Sequence, residues 1–376
     1  MAEEVVNLPN HPPIKGKKYT FQYIDLYEIA LDNLLMHSTV IYGDSGDGKS
    51  YILNTLLDAI SPYINILHIF CPTAKVDTKF PLMQFTSPLF VHETLDMKHI
   101  DAIIENCGRR KAMRLSIDDP KKLSETVKKF ILPIYKVQGD DGMLSKALKQ
   151  YARIRKIDKK FDFDDATIDE RIEHNRMITK LYHIMMYNCK RYLQKKGLSI
   201  PKEYQEHALP VLFYDINYRD VILTNDFGDV ISILKKDDSA IASKLVMKER
   251  HYGITTIHLI QDVTHIKKSD RGQIKVNIFV SPNSITSYIS TLCIKGTLKQ
   301  QLEEASEFIL AADKQKGEKR KHPVVIYFKM LQKICYTYAD AKLKITPKGN
   351  IELYELLEGY VANTTEANPL IDIFGK

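Results

Sequence analysis

The clearest chemical pattern in this sequence is the glycine-rich loop Gly43-Asp44-Ser45-Gly46-Asp47-Gly48-Lys49-Ser50. Its spacing matches G-x-x-x-x-G-K-[ST], in which glycines allow backbone N–H groups to turn towards phosphates. In such a loop Lys49 reaches the β- and γ-phosphates, and the Ser50 hydroxyl binds Mg²⁺. The sequence therefore predicts a site for a nucleoside triphosphate, ATP with Mg²⁺, that includes the adjacent Tyr51. Asp44 and Asp47 are unusual beside phosphates, and solvent, a Mg²⁺-bound water or a neighbouring subunit are their possible partners.

The segments around this loop have the patterns of strands and helices. Residues 38–42 are apolar and β-branched, which is typical of a buried strand, and residues 64–70 have the same character. Apolar spacing predicts helices over 24–36 and 49–59. A strand–loop–helix–strand order is the beginning of an α/β fold with a mostly parallel sheet flanked by helices.

A phosphate-binding enzyme of this kind needs a carboxylate at the end of another buried strand, to hold Mg²⁺ through water. The apolar run at 209–214 precedes Asp215, so we predict that Asp215 is this metal-binding acid. Ile216 and Asn217 follow instead of a second acid, which leaves the general base open. Tyr214 in the metal position with Asp215 as the base is one alternative, and Asp220 is a weaker candidate.

Three further residues have the right chemistry for hydrolysis. Gln261 follows a predicted buried strand at 254–260, and an amide at a strand end beside the phosphate loop can orient the attacking water. Arg250 and Arg271 flank the same strand, and either is a candidate arginine finger that reaches the γ-phosphate of the next subunit. Simple structural roles remain open for all three.

The basic charge is concentrated in one segment. The whole chain has a formal net charge of +7, but residues 109–160 contain sixteen Lys and Arg against six Asp and Glu, a local excess of ten positive charges. This excess suits a partner with a phosphate backbone, and a solvated helical face is the alternative. Residues 92–204, which include this segment, have mainly helical patterns and are predicted to be an insertion.

The chain divides accordingly into an N-terminal arm at 1–18, a core at 19–91 and 205–362, the basic helical insertion at 92–204 and a tail at 363–376. Later in the core, strands are predicted at 276–280 and 323–328, and helices at 238–252 and 284–312. No run of apolar residues is long enough to span a membrane, so no membrane span is expected. The five cysteines contain no CxxC pair, so we expect reduced thiols and no cysteine-based zinc site.

Four motifs in this order resemble the poxvirus-type genome-packaging ATPases of nucleocytoplasmic large DNA viruses, within the FtsK/HerA P-loop superfamily. The motifs are the phosphate loop, Val211–Asp215, the Arg250-His251 pair leading to Gln261, and Ile274–Asn277. The resemblance covers about residues 35–75 and 208–282. Two departures stand out, since Asp215 has no second acid beside it and Lys275 replaces an arginine of the family pattern.

The resemblance implies a RecA/FtsK-like P-loop NTPase that forms a homo-oligomeric ring and uses ATP hydrolysis to move double-stranded DNA into a viral capsid. It also implies viral capsid proteins as partners and action inside an infected host cell, in the cytoplasm, a virus factory or the virion. Two other functions remain open. One is a P-loop kinase or other NTPase that does not act on DNA, although the chain lacks the N/TKxD motif of GTPases: Thr224-Asn225-Asp226 has no lysine. The other is a nucleotide-binding factor for capsid assembly.

Overall fold

A computed structural model describes the chain in several stretches. The described residues are 11–74, 82–94, 99–104, 107–108, 111, 153, 157, 160–162, 165–167, 169–174, 176–177, 219–225, 249–266, 271–311, 321–340, 342–351 and 354. Most of the predicted insertion, the basic segment within it and the predicted strand before Asp215 lie outside these residues. The predicted domain boundaries therefore stay predictions.

The described strands form one sheet, and their bounds are Ile14–Lys15 (β1), Thr20–Tyr23 (β2), Ser38–Tyr42 (β3), Leu67–Phe70 (β4), Val91–His92 (β5), Asp220–Asn225 (β6), Ile254–Ile260 (β7), Val276–Phe279 (β8), Lys321–Phe328 (β9) and Lys333–Asp340 (β10). The predicted strands at 38–42 and 254–260 match β3 and β7. The structure adds strands that the patterns did not predict, including β6, β10 and a short β1 inside the predicted N-terminal arm.

The strand order is β1-β2-β10-β9-β8-β3-β7-β6-β4-β5. The run from β8 through β3, β7, β6 and β4 to β5 is parallel, whereas β9 is antiparallel to both β8 and β10. The sheet is thus mostly parallel, and β3, which leads into the phosphate loop, lies in its interior. Buried on both faces, β3 has a run of apolar and β-branched residues instead of an alternating pattern.

The described α-helices are Leu26–Ile29 (α1), Lys49–Ile60 (α2), Glu249–Tyr252 (α3), Pro282–Leu292 (α4) and Gly296–Ala305 (α5). Helix α1 continues as a π-helix at Ala30–Leu34, and α5 continues as a π-helix at Ser306–Ala311. Short 3₁₀ turns occur at Ser61–Tyr63, Leu82–Phe85, Pro88–Phe90 and Val263–His265. The predicted helix at 284–312 is therefore two helices and a π-helical turn, since the chain adopts a left-handed conformation at Cys293.

The two faces of the sheet pack against different helices. On one face, β-strand residues such as Ile41 and Ile257 join Leu53 and Leu56 of α2 in a buried cluster. On the other face, Tyr42 and Phe279 pack with Tyr288 of α4 and Leu302 of α5. The alternation of side chains along each strand divides the residues between these two layers. The fold is therefore the predicted α/β type with helices on both faces.

Candidate functional site

The glycine-rich loop connects the carboxyl end of β3 to the first turn of α2. Gly46 and Gly48 have φ angles of +88° and +94°, values that L-residues with a side chain seldom adopt. Within the loop, Asp44 N donates to Asp47 Oδ2 at 2.9 Å, and Asp47 N donates to Asp44 O at 3.3 Å. The two aspartates that seemed unusual beside phosphates therefore bond to each other across the turn and stabilise its shape.

Gly43 serves a different purpose from the other two glycines. A β-carbon at this position would lie well inside contact distance of Val280 Cγ2, just after β8. Its N–H donates to the carbonyl oxygen of Ile260 at 3.3 Å, which ties the loop to the end of β7. Gly43 is thus a glycine because the backbone passes close to a neighbouring strand.

Lys49 is the first residue of α2, and its side chain lies against the loop. The Nζ atom donates to the carbonyl oxygens of Gly43 at 2.5 Å and Asp44 at 2.9 Å. The ammonium group is therefore held over the loop, at the end of the helix where the dipole is positive. Ser50 follows on the same first turn. This combination of a cation, a helix N-terminus and flexible backbone fits the phosphates of a nucleotide.

Tyr51 lies beside His322, a residue that belongs to none of the sequence motifs. Its ring stacks on the imidazole of His322, with centroids 4.7 Å apart and planes within 10°. His322 stands near the start of β9, which runs antiparallel to β8 and so begins at the edge of the sheet where the loop lies. A β-carbon on Gly48 would be 3.7 Å from the same imidazole. Only the pairing of β8 and β9 brings His322 to this place, so no local pattern could have indicated it.

Gln261 lies where the sequence predicted. It follows β7 directly and is exposed, and β7 pairs with β3 so that Ile260 is opposite Tyr42. The hydrogen bond from Gly43 N to Ile260 O sets the backbone just before Gln261 beside the phosphate loop. The structure therefore brings Gln261 and the loop together, while its role in orienting water stays a prediction.

Strand β7 has β3 on one side and β6 on the other, and β6 ends at Asn225. Parallel pairing sets Asn225 opposite Leu259, so the carboxyl end of β6 lies at the same edge of the sheet as the loop. Asn225 Nδ2 donates to Cys71 Sγ, just after β4, at 3.5 Å. In the sequence, Thr224–Asp226 matches the guanine-binding motif only in part, since it has no lysine. The apolar run Val221-Ile222-Leu223 just before it was the signal for a buried strand that ends in polar residues.

Of the two aspartates predicted as metal ligand or base, the structure describes Asp220 but not Asp215. Asp215 and Tyr214 lie outside the described residues, and the metal-binding role of Asp215 stays a prediction. Asp220, the weaker candidate for a base, begins β6 and so lies at the opposite edge from the loop. It is 1% exposed, and its Oδ1 accepts from Ile66 N at 3.2 Å. This position does not suit a base that must meet a nucleotide at the loop.

The two candidate arginines occupy different places. Arg250 belongs to α3, which ends just before the amino end of β7, so the length of β7 separates it from the loop of its own chain. Arg271 follows β7, and its guanidinium donates to the carbonyl oxygens of Ile266 at 2.5 Å and Thr264 at 3.3 Å. These bonds give Arg271 a structural role in its own loop. Within the described part of this chain, the hydrogen bonds of Arg271 go to its own loop, and Arg250 lies at the far end of β7 from the phosphate loop.

A hydrogen bond between a threonine and a histidine links β6 to β7 in the interior of the sheet. Thr224 Oγ1 and His258 Nδ1 are 2.8 Å apart and join β6 to β7. Burial disfavours the charged imidazolium and lowers the pKa of His258 to about 4. His258 is therefore neutral at neutral pH and acts as a hydrogen-bonding group of the sheet interior.

Comparison with known proteins found similarity in three-dimensional structure but no match in sequence. No protein-family model matches the sequence, and no curated protein matches it. Among solved structures, the pCW3 conjugation coupling protein TcpA, in its monomer form with ATPγS, is 12% identical over 92% of this chain and 70% of its own, with a TM-score of 0.42. The DNA-packaging ATPase B204 of Sulfolobus turreted icosahedral virus is 12% identical over 80% of this chain and 96% of its own, with a TM-score of 0.32. The plasmid coupling protein TrwB, with ADP and Mg²⁺, is 10% identical over 94% of this chain and 99% of its own, with a TM-score of 0.34.

These TM-scores are low, so the fold class rests on the strand order and the phosphate loop described above. Those features agree with the predicted P-loop class, in which a loop after an interior parallel strand leads into a helix. Among the described residues, no helix combines the length and the apolar character that crossing a membrane requires.

Proposed function

We propose that this chain is a P-loop ATPase that uses Mg²⁺ and converts ATP hydrolysis into movement along double-stranded DNA, as the motor of viral genome packaging. The observation that carries the ATPase part is the meeting of Lys49, the first turn of α2 and Gln261 at one edge of the sheet. The proposed DNA substrate, the ring and the capsid partners are supported by the order of the sequence motifs and by the basic segment at 109–160.

In this proposal, each residue at the loop has a defined task. The Lys49 ammonium and the backbone of the loop neutralise and orient the phosphates, so that water attacks the γ-phosphorus as the bond to the bridging oxygen breaks. The amide of Gln261 positions that water. Mg²⁺, when bound, would supply charge neutralisation, and the Ser50 hydroxyl would be its ligand from the loop.

A second candidate for the metal-binding acid follows the carboxyl end of β6 in the sequence. Asn225 is the last residue of this strand, and Asp226 follows it directly in the sequence. Consecutive Cα atoms are about 3.8 Å apart, so covalent connection alone keeps Asp226 next to Asn225. We therefore propose Asp226 as an alternative to Asp215 for the acid that holds Mg²⁺ through water.

The decisive experiment measures phosphate release from ATP by the purified full chain, with and without duplex DNA of random sequence. We expect hydrolysis that duplex DNA stimulates, with a stimulation that weakens as salt rises from about 50 to about 200 mM, because phosphate contacts release counterions. Replacing Lys49 with Ala removes a charge that acts in the transition state, so we expect at least a ~100-fold loss of rate.

One control variant and two contrary outcomes separate this proposal from its alternatives. Lys299, exposed on α5 where it forms an ion pair with Glu303, provides a matched Lys299→Ala variant that should hydrolyse ATP at the normal rate. Equal rates with and without DNA, together with no DNA binding at low salt, would exclude the DNA motor. Transfer of the γ-phosphoryl group to a nucleoside would instead indicate a kinase.

A further inference from the structure

A cluster of three histidines lies in the sheet away from the phosphate loop. His68, His92 and His99 each have a ligand nitrogen within 4.8 Å of the others. His68 is 1% exposed, and His92 and His99 are half-buried. The rings of His92 and His99 are 4.2 Å apart between centroids, and those of His92 and His68 are 6.2 Å apart. Three imidazoles thus meet in one place.

Separate elements bring these residues together. In β4, Leu67 and Ile69 join the core on the side of α2, so His68 and Phe70 project from the opposite face of the sheet. His92 of β5 pairs with Phe70, and His99 begins a helical stretch at residues 99–104. The cluster therefore joins the sheet to the start of the predicted insertion.

The surroundings of the cluster are apolar. Phe70 lies 4.7 Å from His92 and 5.7 Å from His99 between ring centroids, and Phe90 lies 5.3 Å from His68. Aromatic rings therefore form part of the lining around the three imidazoles.

A buried carboxylate lies next to one of the histidines. Asp220 Oδ2 is 3.7 Å from His68 Nε2, and the same oxygen accepts from Cys107 Sγ at 3.2 Å. Histidine ligands of metals commonly direct their second ring nitrogen at a carboxylate, which holds the ring in place. With Nε2 of His68 facing Asp220, its Nδ1 is the nitrogen that can act as a ligand.

We propose that His68, His92 and His99 bind a divalent transition metal ion, Zn²⁺, that fastens the start of the insertion to β4. Nitrogen ligands favour zinc, whereas Mg²⁺ prefers oxygen. Zinc–nitrogen bonds of about 2.0 Å require only a modest closing of the three rings, and a water molecule completes the tetrahedron. The site differs from the nucleotide site, since three strand spacings of about 4.8 Å separate β4 from β3.

The test uses the full chain purified without a histidine tag from zinc-supplemented medium, with metal content measured by mass spectrometry. We expect about one zinc ion per chain, and a loss of most of it in His68→Asn, His92→Asn and His99→Asn. His251, exposed on α3, provides the matched control, and His251→Asn should retain the zinc of the unmodified chain. Equal zinc content in His99→Asn and His251→Asn would overturn the proposal.

A second measurement keeps the test independent of the folding of the variants. The unmodified chain, depleted with a chelator and dialysed against Co²⁺, should take up about one ion and show the visible absorption of tetrahedral cobalt, and Zn²⁺ should displace it. Absence of both zinc in the purified chain and cobalt uptake on dialysis would show that the three residues are a buried histidine cluster only.

Discussion

At the residue scale, the glycines of the phosphate loop serve two distinct physical needs. Gly46 has a positive φ angle and open space around it, so its requirement is conformational. Gly43 does not have a positive φ angle, and a larger residue is excluded there because a β-carbon would clash with Val280. The glycines of this one motif are therefore required for two different reasons, backbone conformation at Gly46 and lack of space at Gly43.

We predict that Gly43→Ala destabilises the fold by about 1–3 kcal/mol, because the new methyl group clashes with Val280 Cγ2. In a Val280→Ala background the same change should cost much less, since the obstructing atom is gone. Urea denaturation of the two single variants and the double variant measures this coupling. Gly46→Ala is the control, and its cost of about 1–2 kcal/mol should not depend on residue 280.

A second prediction at this scale concerns the acid that holds Mg²⁺. If the carboxyl end of β6 provides it, Asp226→Asn should lower ATP hydrolysis by at least ~100-fold and Asp215→Asn should have a small effect. Both variants keep the size of the side chain and remove its charge. The opposite result would assign the metal to Asp215, as the sequence motifs alone suggest.

At the scale of elements, contacts between distant segments hold the helix and strands that present the site. His258 joins β7 to β6 through Thr224, and Lys348 joins the chain after β10 to α2 through Asp58. The second bond is between a lysine side chain that is 1% exposed and a carboxylate on the helix that begins at the phosphate loop. Both contacts are therefore expected to support the site without touching a nucleotide.

The His258 contact predicts a pH dependence of stability. The folded-state pKa of about 4 is below the ordinary value of 6.5, so the unfolded chain binds the proton first as the pH falls. The free energy of unfolding should decrease between about pH 6.5 and pH 4, by on the order of 3 kcal/mol from this group. In His258→Gln this part of the decrease should disappear, whereas His251→Gln should behave like the unmodified chain. Denaturation at several pH values measures the difference.

The Asp58–Lys348 contact predicts a strong coupling. Asp58 Oδ1 accepts from Lys348 Nζ at 2.5 Å, and Oδ2 accepts from the Tyr27 hydroxyl at 2.6 Å. Asp58→Ala leaves a buried ammonium group without its counter-charge, so we expect a loss of about 3 kcal/mol of stability. Adding Lys348→Met should restore a large part of that loss.

Denaturation of the single and double variants checks this coupling. The exposed pair Lys299–Glu303 on α5 is the control, and Glu303→Ala should cost less than about 0.5 kcal/mol. Additive costs at Asp58 and Lys348 would show that the two residues do not stabilise each other.

At the scale of the whole molecule, the length of β7 limits what Arg250 can do. The strand has seven residues, which separate its two ends by about 20 Å at 3.3 Å per residue. Arg250, just before the amino end, is too far from the phosphate loop of its own chain. If it stabilises charge on a nucleotide, it must act on a neighbouring subunit in the proposed ring.

This geometry predicts complementation between inactive subunits. Arg250→Ala and Lys49→Ala should each hydrolyse ATP poorly alone, but a mixture should recover activity, because some interfaces combine an intact loop with an intact arginine. The measurement is the rate of phosphate release against the mixing ratio. Full activity of Arg250→Ala alone would remove it as the finger, and Arg271, held by carbonyl groups of its own loop, is not a ready substitute.

The sequence alone determined the local parts of the site. The glycine spacing predicted the loop, the apolar run before it predicted β3, and the residues after it predicted α2. The position of Gln261 also followed from its sequence, since a residue directly after a parallel strand must lie at the carboxyl edge of the sheet. Each of these features depends on a short continuous segment, in which backbone geometry and side-chain pattern have to agree.

Only the tertiary structure decided which distant segments meet. It placed β6 beside β7 and so brought Asn225 to the same edge of the sheet as the loop, it stacked His322 on Tyr51, and it gathered three histidines around β4. Strand order results from the packing of side chains on both faces of the sheet, and a linear pattern contains little information about it. The residues that hold phosphates could therefore be predicted from the sequence, whereas the groups around them depend on how the whole sheet assembles.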